Sequence, residues 1–337
     1  MIPDGRRPGS GCPGRTGPRY DGLMPPITLA AGSLRATVLP ELGGGIADFA
    51  LIGPAKYPFP LMRRAAPGET NSSSLGSFFM APWCNRIANA MFTFNGREHR
   101  LKPNSPAAGA PAQHGDVRAR PFAIVSQTAD AATIRFDSRS AQKVNWPWPF
   151  ALDARYTLRP DALRIELAVT NLSSEPMPAG CGHHPYFPRR LWHDADEVQI
   201  RCPVGGRFAL ENGVPTGPAT RESLGARLAA LAPPPDEHID TVFAGFNGST
   251  SAGEAEIRWT RSNVSLRIAA SANMGHLVLY CPRADPATPS TLPWIAVEPQ
   301  TQVNGALNHP EWKDAGTVVL PPGGVLETWT EFRVGMS

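Results

Sequence analysis

Two adjacent histidines, His183 and His184, stand in the segment GCGHHPYFPRR, in a chain that has eight histidines in total. An imidazole gains and loses a proton close to neutral pH, so it can act as an acid or a base. Neighbouring side chains of a strand point to opposite faces. We therefore expect His184 to face a site and His183 to make a hydrogen bond on the opposite face.

A second group suited to proton transfer is Glu298, in the segment WIAVEPQTQVNGALN. It follows the apolar run 294–297 and precedes Pro299, which places a carboxylate at the end of a buried strand. Burial disfavours the charged form of a carboxyl group. We expect a raised pKa for Glu298 and a role in acid–base chemistry.

Three further segments each contain a polar residue that costs free energy to bury: PWCNRIANA with Arg86, AQHGDV with His114, and DEHIDTVF with Asp240. Each residue also has an ordinary structural interpretation. Arg86 could be ion-paired at the surface, His114 could lie in a loop beside a turn, and Asp240 could cap a turn. Their occurrence together with His184 and Glu298 favours a single functional site.

Metal and nucleophile chemistry find little support in the sequence. Adjacent histidines of a strand cannot both ligate one ion, and the five cysteines contain no CxxC pair. No GxSxG segment marks a serine nucleophile. Acid and base groups without a metal remain.

Composition excludes several classes of protein. The 337 residues carry a formal net charge of +3 with no run of five like charges, so we expect no nucleic-acid partner. No apolar stretch reaches about 18 residues, so we expect no membrane span. The odd number of cysteines and the lack of a signal segment point to a reducing cytoplasm.

The chain divides into a tail and one domain. Residues 1–23 are rich in Gly, Pro and Arg and lack apolar periodicity, which predicts a disordered N-terminal tail. Residues 24–337 form the predicted domain.

Alternating apolar and polar residues predict strands over 131–137, 163–171 and 326–334. Asn95-Gly96 and Pro160-Asp161 are typical of the turns that join antiparallel strands. One short helix is predicted in RESLGARLAALAPPP, with an apolar face made of Leu224, Leu228 and Leu231. With no repeat of fixed period and no alternation of strand and helix, we predict an all-β fold: a large antiparallel β-sandwich with few short helices.

Taken together, the motifs make the chain similar to the aldose 1-epimerase family, the galactose mutarotases and their bacterial relatives. The resemblance runs from about residue 27 to 334. It depends on NRIANAMFTFNGREHRL with a His-Gly pair downstream, on HPYF, and most specifically on VEPQTQVNGALN. His183 and Asp116 replace the Asn and the second Gly that many members carry at those positions.

The resemblance implies that Glu298 is the general base and His184 the general acid. It implies sugar contacts from Arg86, His114 and Asp240, to which we add the neighbouring Asn85 and Tyr186. It also implies a β-sandwich with an open cleft, a small-molecule sugar as partner and no metal or organic cofactor. We expect a monomer or a homodimer.

Two other functions remain open from the sequence. A carbohydrate-binding module without catalysis could use the same fold, the same polar contacts and the tryptophans Trp83, Trp146, Trp148 and Trp294. A hexose-6-phosphate 1-epimerase would need extra basic groups, for which Arg189 and Arg190 are candidates.

Overall fold

The computed structural model describes residues 24–53, 56–283 and 291–336, so the predicted tail lies outside the described residues. The strands in chain order are β1 (Ile27–Ala31), β2 (Leu34–Leu39), β3 (Gly45–Ile52), β4 (Pro58–Pro60), β5 (Ser77–Met80), β6 (Arg86–Ile87), β7 (Met91–Phe94), β8 (Arg97–Arg100), β9 (Ala112–Gln113), β10 (Ala123–Gln127), β11 (Ala131–Asp137), β12 (Phe150–Leu158), β13 (Ala162–Asn171), β14 (Met177–Ala179), β15 (Gly182–Pro188), β16 (Val198–Arg201), β17 (Gly206–Arg207), β18 (Leu210–Glu211), β19 (Val214–Pro215), β20 (Ile239–Ala244), β21 (Ala255–Trp259), β22 (Val264–Ala270), β23 (His276–Cys281), β24 (Trp294–Gln300), β25 (Val318–Leu320) and β26 (Val325–Met336).

Helical structure in the described ranges is short. The helix α1 spans Ser223–Leu228 and buries Leu224 and Leu228, whereas Leu231 of the predicted apolar face lies beyond its end. Single 3-10 turns occupy Pro40–Leu42, Ser72–Ser74, Ala88–Ala90, Val117–Ala119, Ser138–Ser140 and Ala306–Asn308. No helix in these ranges has the length and apolar character of a membrane span.

Two large antiparallel sheets form the body of the domain, which confirms the predicted sandwich. One sheet has ten strands in the order β1-β2-β3-β5-β15-β24-β23-β20-β17, with β4 paired to β3. The other has eight strands in the order β10-β11-β12-β13-β26-β22-β21-β16. Neighbours such as β15 and β24 come from distant parts of the chain.

Local sequence signals explain the hairpins. Asn95 and Gly96 have φ values of 50° and 72°, which suits the type I′ turn between β7 and β8. Pro160 and Asp161 separate β12 from β13, whose alternating burial matches the alternating sequence. The predicted hairpins and the predicted C-terminal strand are confirmed.

The main core lies between the two sheets. Phe187 of the ten-stranded sheet packs against Phe332 of the eight-stranded sheet with ring centroids 6.2 Å apart, and Phe79 meets Tyr156 at 6.1 Å. Two smaller apolar clusters lie on the opposite face of the ten-stranded sheet, around Val242 and around Phe78. That outer face, flanked by loops, carries the candidate site.

Candidate active site

His184 and Glu298 lie opposite each other on the adjacent central strands β15 and β24. The register pairs Gly182 with Gln300 and Tyr186 with Ala296, which places His184 across from Glu298. His184 Nε2 is 3.2 Å from Glu298 Oε1. The two groups predicted to transfer protons are thus in direct contact, rather than separated by the width of a sugar ring.

Every second side chain of a strand points to the same face of the sheet, so the neighbours of His184 and Glu298 in the site follow from the strand positions. Tyr186 follows His184 on the same face, and its hydroxyl lies 3.4 Å from His184 Nε2. On the far side, β23 places Val278 opposite Glu298, while Tyr280 pairs with Asp240 of β20. Asp240 is half-exposed at the rim of the site, whereas Glu298 is 1% exposed.

His183 points to the other face, as the alternation predicts, and packs edge-on against Phe79 at 5.2 Å. The predicted hydrogen bond is wrong, because neither ring nitrogen has a partner among the described residues. The inner face between the two sheets is filled by apolar side chains, which offer the imidazole no donor or acceptor.

Arg86 and His114 enter the site from loops that pair through β6 and β9, where Arg86 lies opposite Gln113. His114 has a φ of 63° and is followed by Gly115 with a φ of 70°. A Cβ on Gly115 would lie 2.3 Å from the Ala81 carbonyl oxygen, so only glycine permits this close approach. The His-Gly pair therefore positions the His114 ring in the site.

The segment VEPQTQVNGALN supports the Arg86 loop as well as supplying Glu298. The Gln302 side chain accepts a hydrogen bond from the Cys84 backbone N–H at 2.9 Å. The Gly305 N–H donates to the Arg86 carbonyl oxygen at 2.7 Å, and the Asn308 side chain accepts from the Ala88 N–H at 2.8 Å. One motif thus joins the proposed base to the proposed sugar-binding loop.

These elements enclose a cleft with a volume of about 190 Å³. This volume is below the roughly 300–1,000 Å³ of pockets for drug-sized ligands and suits a single small ring. All seven predicted site residues line the cleft, together with three that the sequence analysis missed: Asn85, Arg86, His114, His184, Tyr186, Asp240 and Glu298, then Gln113, Val278 and Tyr280.

The pKa values of Glu298 and His184 shift in opposite directions. Burial, reinforced by the Asp240 carboxylate, raises the pKa of Glu298 well above its usual value, although Arg86 acts in the other direction. Burial, followed by the positive charge of Arg63, lowers the pKa of His184 to about 3. These directions favour a protonated Glu298 carboxyl next to a neutral His184 imidazole.

The polar groups around this pair are also connected. Arg86 donates to the Asn85 side chain at 3.0 Å and lies 3.5 Å from the Asp240 carboxylate. His114 Nδ1 contacts the Met80 sulfur at 3.2 Å, and burial lowers the pKa of His114 well below its usual value. His114 is therefore a neutral hydrogen-bonding group.

Several other predicted groups lie away from the cleft. Trp83 and Trp146 stack on each other at 5.3 Å within the core, and Trp148 is 6% exposed, so Trp294 alone of the four tryptophans approaches the site. Neither Arg189 nor Arg190 lines the cleft, and Arg189 donates to the Leu292 carbonyl oxygen. Across the described ranges, no group of three or more His, Cys, Asp or Glu side chains could hold a metal ion.

The family model described as aldose 1-epimerase matches residues 25–333. The chain therefore belongs to the aldose 1-epimerase family. Among curated relatives, the uncharacterized protein YphB of Escherichia coli K12 is 29% identical over 225 residues, covering 66% of this chain and 70% of the relative. The uncharacterized protein YihR of the same organism is 30% identical over 186 residues, covering 55% of this chain and 57% of the relative.

Solved structures share the fold. A galactose mutarotase-like protein from Clostridium acetobutylicum superimposes with a TM-score of 0.78 at 18% identity, covering 92% of this chain and 95% of that one. The GalM/aldose epimerase homologue from C. elegans gives a TM-score of 0.71 at 17% identity, covering 93% and 99%. At these identities the likeness shows the fold.

Proposed function

We propose that this protein is an aldose 1-epimerase, or mutarotase, that interconverts the α and β anomers of a free aldose by ring opening and reclosure. The observation that carries the proposal is the contact between His184 Nε2 and Glu298 Oε1 at 3.2 Å on the floor of the cleft. The pair combines one acid and one base, which a simple sugar-binding module does not need.

The chemistry of anomer exchange explains why His184 and Glu298 would lie in contact. Ring opening removes the proton from the C1 hydroxyl and delivers a proton to the ring oxygen O5, so that the C1–O5 bond breaks and an open aldehyde forms. Both oxygens are bonded to the same carbon. An acid and a base that lie side by side can therefore address both, with O1 at Glu298 and O5 at His184.

Reclosure uses the same two groups in reverse. After rotation about the C1–C2 bond, O5 attacks the other face of the aldehyde while His184 takes back its proton and Glu298 returns one to O1. No proton is gained or lost over the cycle. General acid and base groups of this kind each contribute roughly 10²- to 10⁴-fold in rate.

The starting protonation state requires a proton to move from Glu298 to His184, across the 3.2 Å between Oε1 and Nε2. The positive charge of Arg86 lowers the pKa of the Glu298 carboxyl, which favours this transfer, and also lowers the pKa of His184, which opposes it. A sugar hydroxyl that donates to the carboxylate favours the transfer.

The surrounding groups are suited to holding the sugar. Arg86 donates fixed hydrogen bonds to hydroxyl oxygens, and the half-exposed Asp240 accepts hydrogen bonds at the rim of the cleft. With His114 Nδ1 engaged by Met80, its Nε2 is left for a sugar hydroxyl. Asn85 and Tyr186 complete the contacts on either side.

The test is anomer exchange, measured by NMR or polarimetry over a panel of arabinose, xylose, fucose, glucose and galactose. We expect exchange faster than the buffer rate for at least one sugar, in proportion to protein concentration. Binding of a sugar without any rate above the buffer rate would contradict the proposal and favour a binding module.

A further inference from the structure

We propose that the sugar turned over in this cleft carries an anionic substituent, a phosphate or a carboxylate, which Arg63 and Arg118 bind at the edge of the site. This inference rests on the proposed function, because it concerns the substrate of the same cleft. Neither arginine was among the residues singled out in the sequence.

The two arginines converge on one turn, Ser72–Ser74. Arg63 Nη2 donates to the Ser73 carbonyl oxygen, and Arg118 Nη1 donates to the Ser73 hydroxyl at 3.1 Å. Arg63 is held further by its Nε, which donates to the Leu75 carbonyl oxygen at 3.1 Å. Two guanidinium groups from different loops are thus held by the same residue, Ser73.

This pair adjoins the acid side of the cleft. The Arg63 guanidinium carbon lies 3.8 Å from the centroid of the Tyr186 ring, and that of Arg118 lies 5.6 Å from the centroid of the Phe78 ring. Each of these rings is 4.5 Å from the imidazole of His184. Both guanidinium groups are therefore one ring away from the predicted position of the ring oxygen.

Neither arginine forms an ion pair within 4.0 Å among the described residues, whereas Arg86 has Asp240 at 3.5 Å. The charge of Glu69 reaches Arg63 only from a greater distance, where it raises the pKa of that guanidinium. The nearby Glu69 carboxylate accepts hydrogen bonds from the backbone N–H groups of Thr70 and Asn71. Burial lowers the pKa of both guanidinium groups, and a bound anion with several acceptor oxygens would stabilise their charged forms.

In an aldose, such an anion lies on the side of the ring that carries the ring oxygen. The exocyclic carbon of a hexopyranose is attached to C5, which is bonded to the ring oxygen. With the ring oxygen at His184, a phosphate on that carbon, or a carboxylate in its place, projects toward Arg63 and Arg118. The remaining hydroxyls face Arg86, His114 and Asp240.

The same charges affect the acid. Arg63 and Arg118 both lower the pKa of His184, in addition to the effect of burial. An anion bound between them offsets their charge and increases the proton affinity of His184. The substituent thus contributes to binding and also favours the protonated imidazole that opens the ring.

The first experiment measures binding without turnover. 1,5-Anhydroglucitol lacks the anomeric hydroxyl, so it and its 6-phosphate can be compared by calorimetry at low and high salt. We expect at least about tenfold tighter binding of the phosphate at low salt, since charge-assisted hydrogen bonds from arginine to phosphate are stronger than those to a neutral hydroxyl. The preference should largely vanish in Arg63→Gln and, independently, in Arg118→Gln.

Arg189→Gln is the matched control, because it removes the same charge from a half-buried arginine that is not among the charges acting on His184. It should retain the preference for the phosphate. Thermal melting of each variant separates a loss of the subsite from a loss of the fold. Equal binding of the two compounds to the folded wild-type protein would overturn the inference.

The second experiment measures turnover. Anomer exchange of glucuronate is compared with that of glucuronamide, which has nearly the same size but no charge, and glucose 6-phosphate is compared with glucose, with the buffer rate subtracted. A kcat/KM that is higher for glucuronate than for glucuronamide indicates that the substrate carries a carboxylate. A kcat/KM that is higher for glucose 6-phosphate than for glucose indicates that it carries a phosphate. The charged-to-neutral ratio should fall about tenfold or more in Arg63→Gln.

The two proposals can fail separately. Equal kcat/KM for charged and neutral sugars overturns the anionic subsite and leaves the epimerase standing. Tight binding of the anhydroglucitol phosphate without exchange of any sugar overturns the epimerase and leaves the anionic subsite standing.

Discussion

Glu298 and His184 are close enough to share one proton, and burial determines which of them holds it. Burial penalises the carboxylate and the imidazolium alike, so the pKa of Glu298 rises while that of His184 falls to about 3. The reactive form of the pair has the same number of protons, but the proton lies on His184 instead of Glu298. Removing either member therefore removes the pair as a proton-transfer unit.

The first prediction concerns these two residues. Glu298→Gln cannot accept the O1 proton, and His184→Asn cannot protonate O5, so each should lower kcat by roughly two to four orders of magnitude with much smaller changes in sugar affinity. Because the two act on one proton movement, the double variant should lose less than the product of the single losses. NMR anomer exchange and calorimetry measure both quantities, with the exposed Glu311→Gln as control. A loss of affinity as large as the loss of kcat would contradict these roles.

The second prediction concerns Arg86, which we propose donates to sugar hydroxyl oxygens in the ground state and in the transition state alike. Arg86→Ala should raise KM at least as much as it lowers kcat. Steady-state kinetics on the best sugar of the panel provides the measurement. A fall in kcat alone would assign Arg86 to the proton-transfer step instead.

At the scale of elements, the site depends on which strands become neighbours. HPYF and VEPQ in the sequence are sufficient to single out His184 and Glu298, and alternation predicts that His183 points away. Alternation within one strand cannot reveal that β15 pairs with β24 or that β23 follows it, because those contacts join distant segments. This is why the contact between acid and base, and the presence of Tyr280 in the cleft, could not be predicted.

Local turn chemistry was a better guide. Asn95-Gly96 identifies its hairpin because few other residue pairs adopt two positive φ values. The hydrogen bonds of Gln302 and Asn308 to the Arg86 loop had no such signal, although both lie in the most specific motif of the chain. Polar residues in a motif can hold a neighbouring loop instead of a ligand.

The third prediction tests whether the Gln302 side chain holds the Arg86 loop in place. Gln302→Met keeps most of the side-chain volume but leaves the buried Cys84 N–H without its acceptor, which should cost about 1–3 kcal/mol of stability. Because the next residues of that loop carry Arg86, KM should rise as well. Chemical denaturation and kinetics check the two effects, and Gln142→Met at an exposed position should show neither. Destabilisation with unchanged KM would confine Gln302 to a structural role.

The two outer faces of the whole molecule differ in character. The outer face of the eight-stranded sheet carries ion pairs, among them the buried Glu331 carboxylate with the partly exposed Arg159 at 2.7 Å and Arg333 at 2.8 Å. The ten-stranded sheet presents the cleft, whose central titratable groups are buried. The core between the sheets also contains His183, whose buried imidazole has its pKa lowered to about 3.

The fourth prediction follows from His183. Its pKa in the folded protein is depressed from 6.5 to about 3, so its contribution to stability is present above pH 6.5 and is lost as the pH falls from there toward 3. Between pH 7 and pH 5 this one group should cost about 2 kcal/mol. In His183→Phe, the drop in the free energy of unfolding over that range should shrink by about this amount.

Denaturation at pH 7 and pH 5 gives the comparison, with the exposed His193→Asn as control. An identical drop in the His183 variant and the wild-type protein would show that the buried ring does not remain neutral on acidification.

The order of strands in the ten-stranded sheet also bears on how the protein acquires activity. Hairpins such as β12–β13 close small loops and can form early, whereas pairing β15 with β24 requires a large loop to close first. The acid and the base are brought together by that pairing alone. In a refolding experiment, anomer exchange should therefore return with the slowest step that buries the core, later than most of the strand signal in circular dichroism.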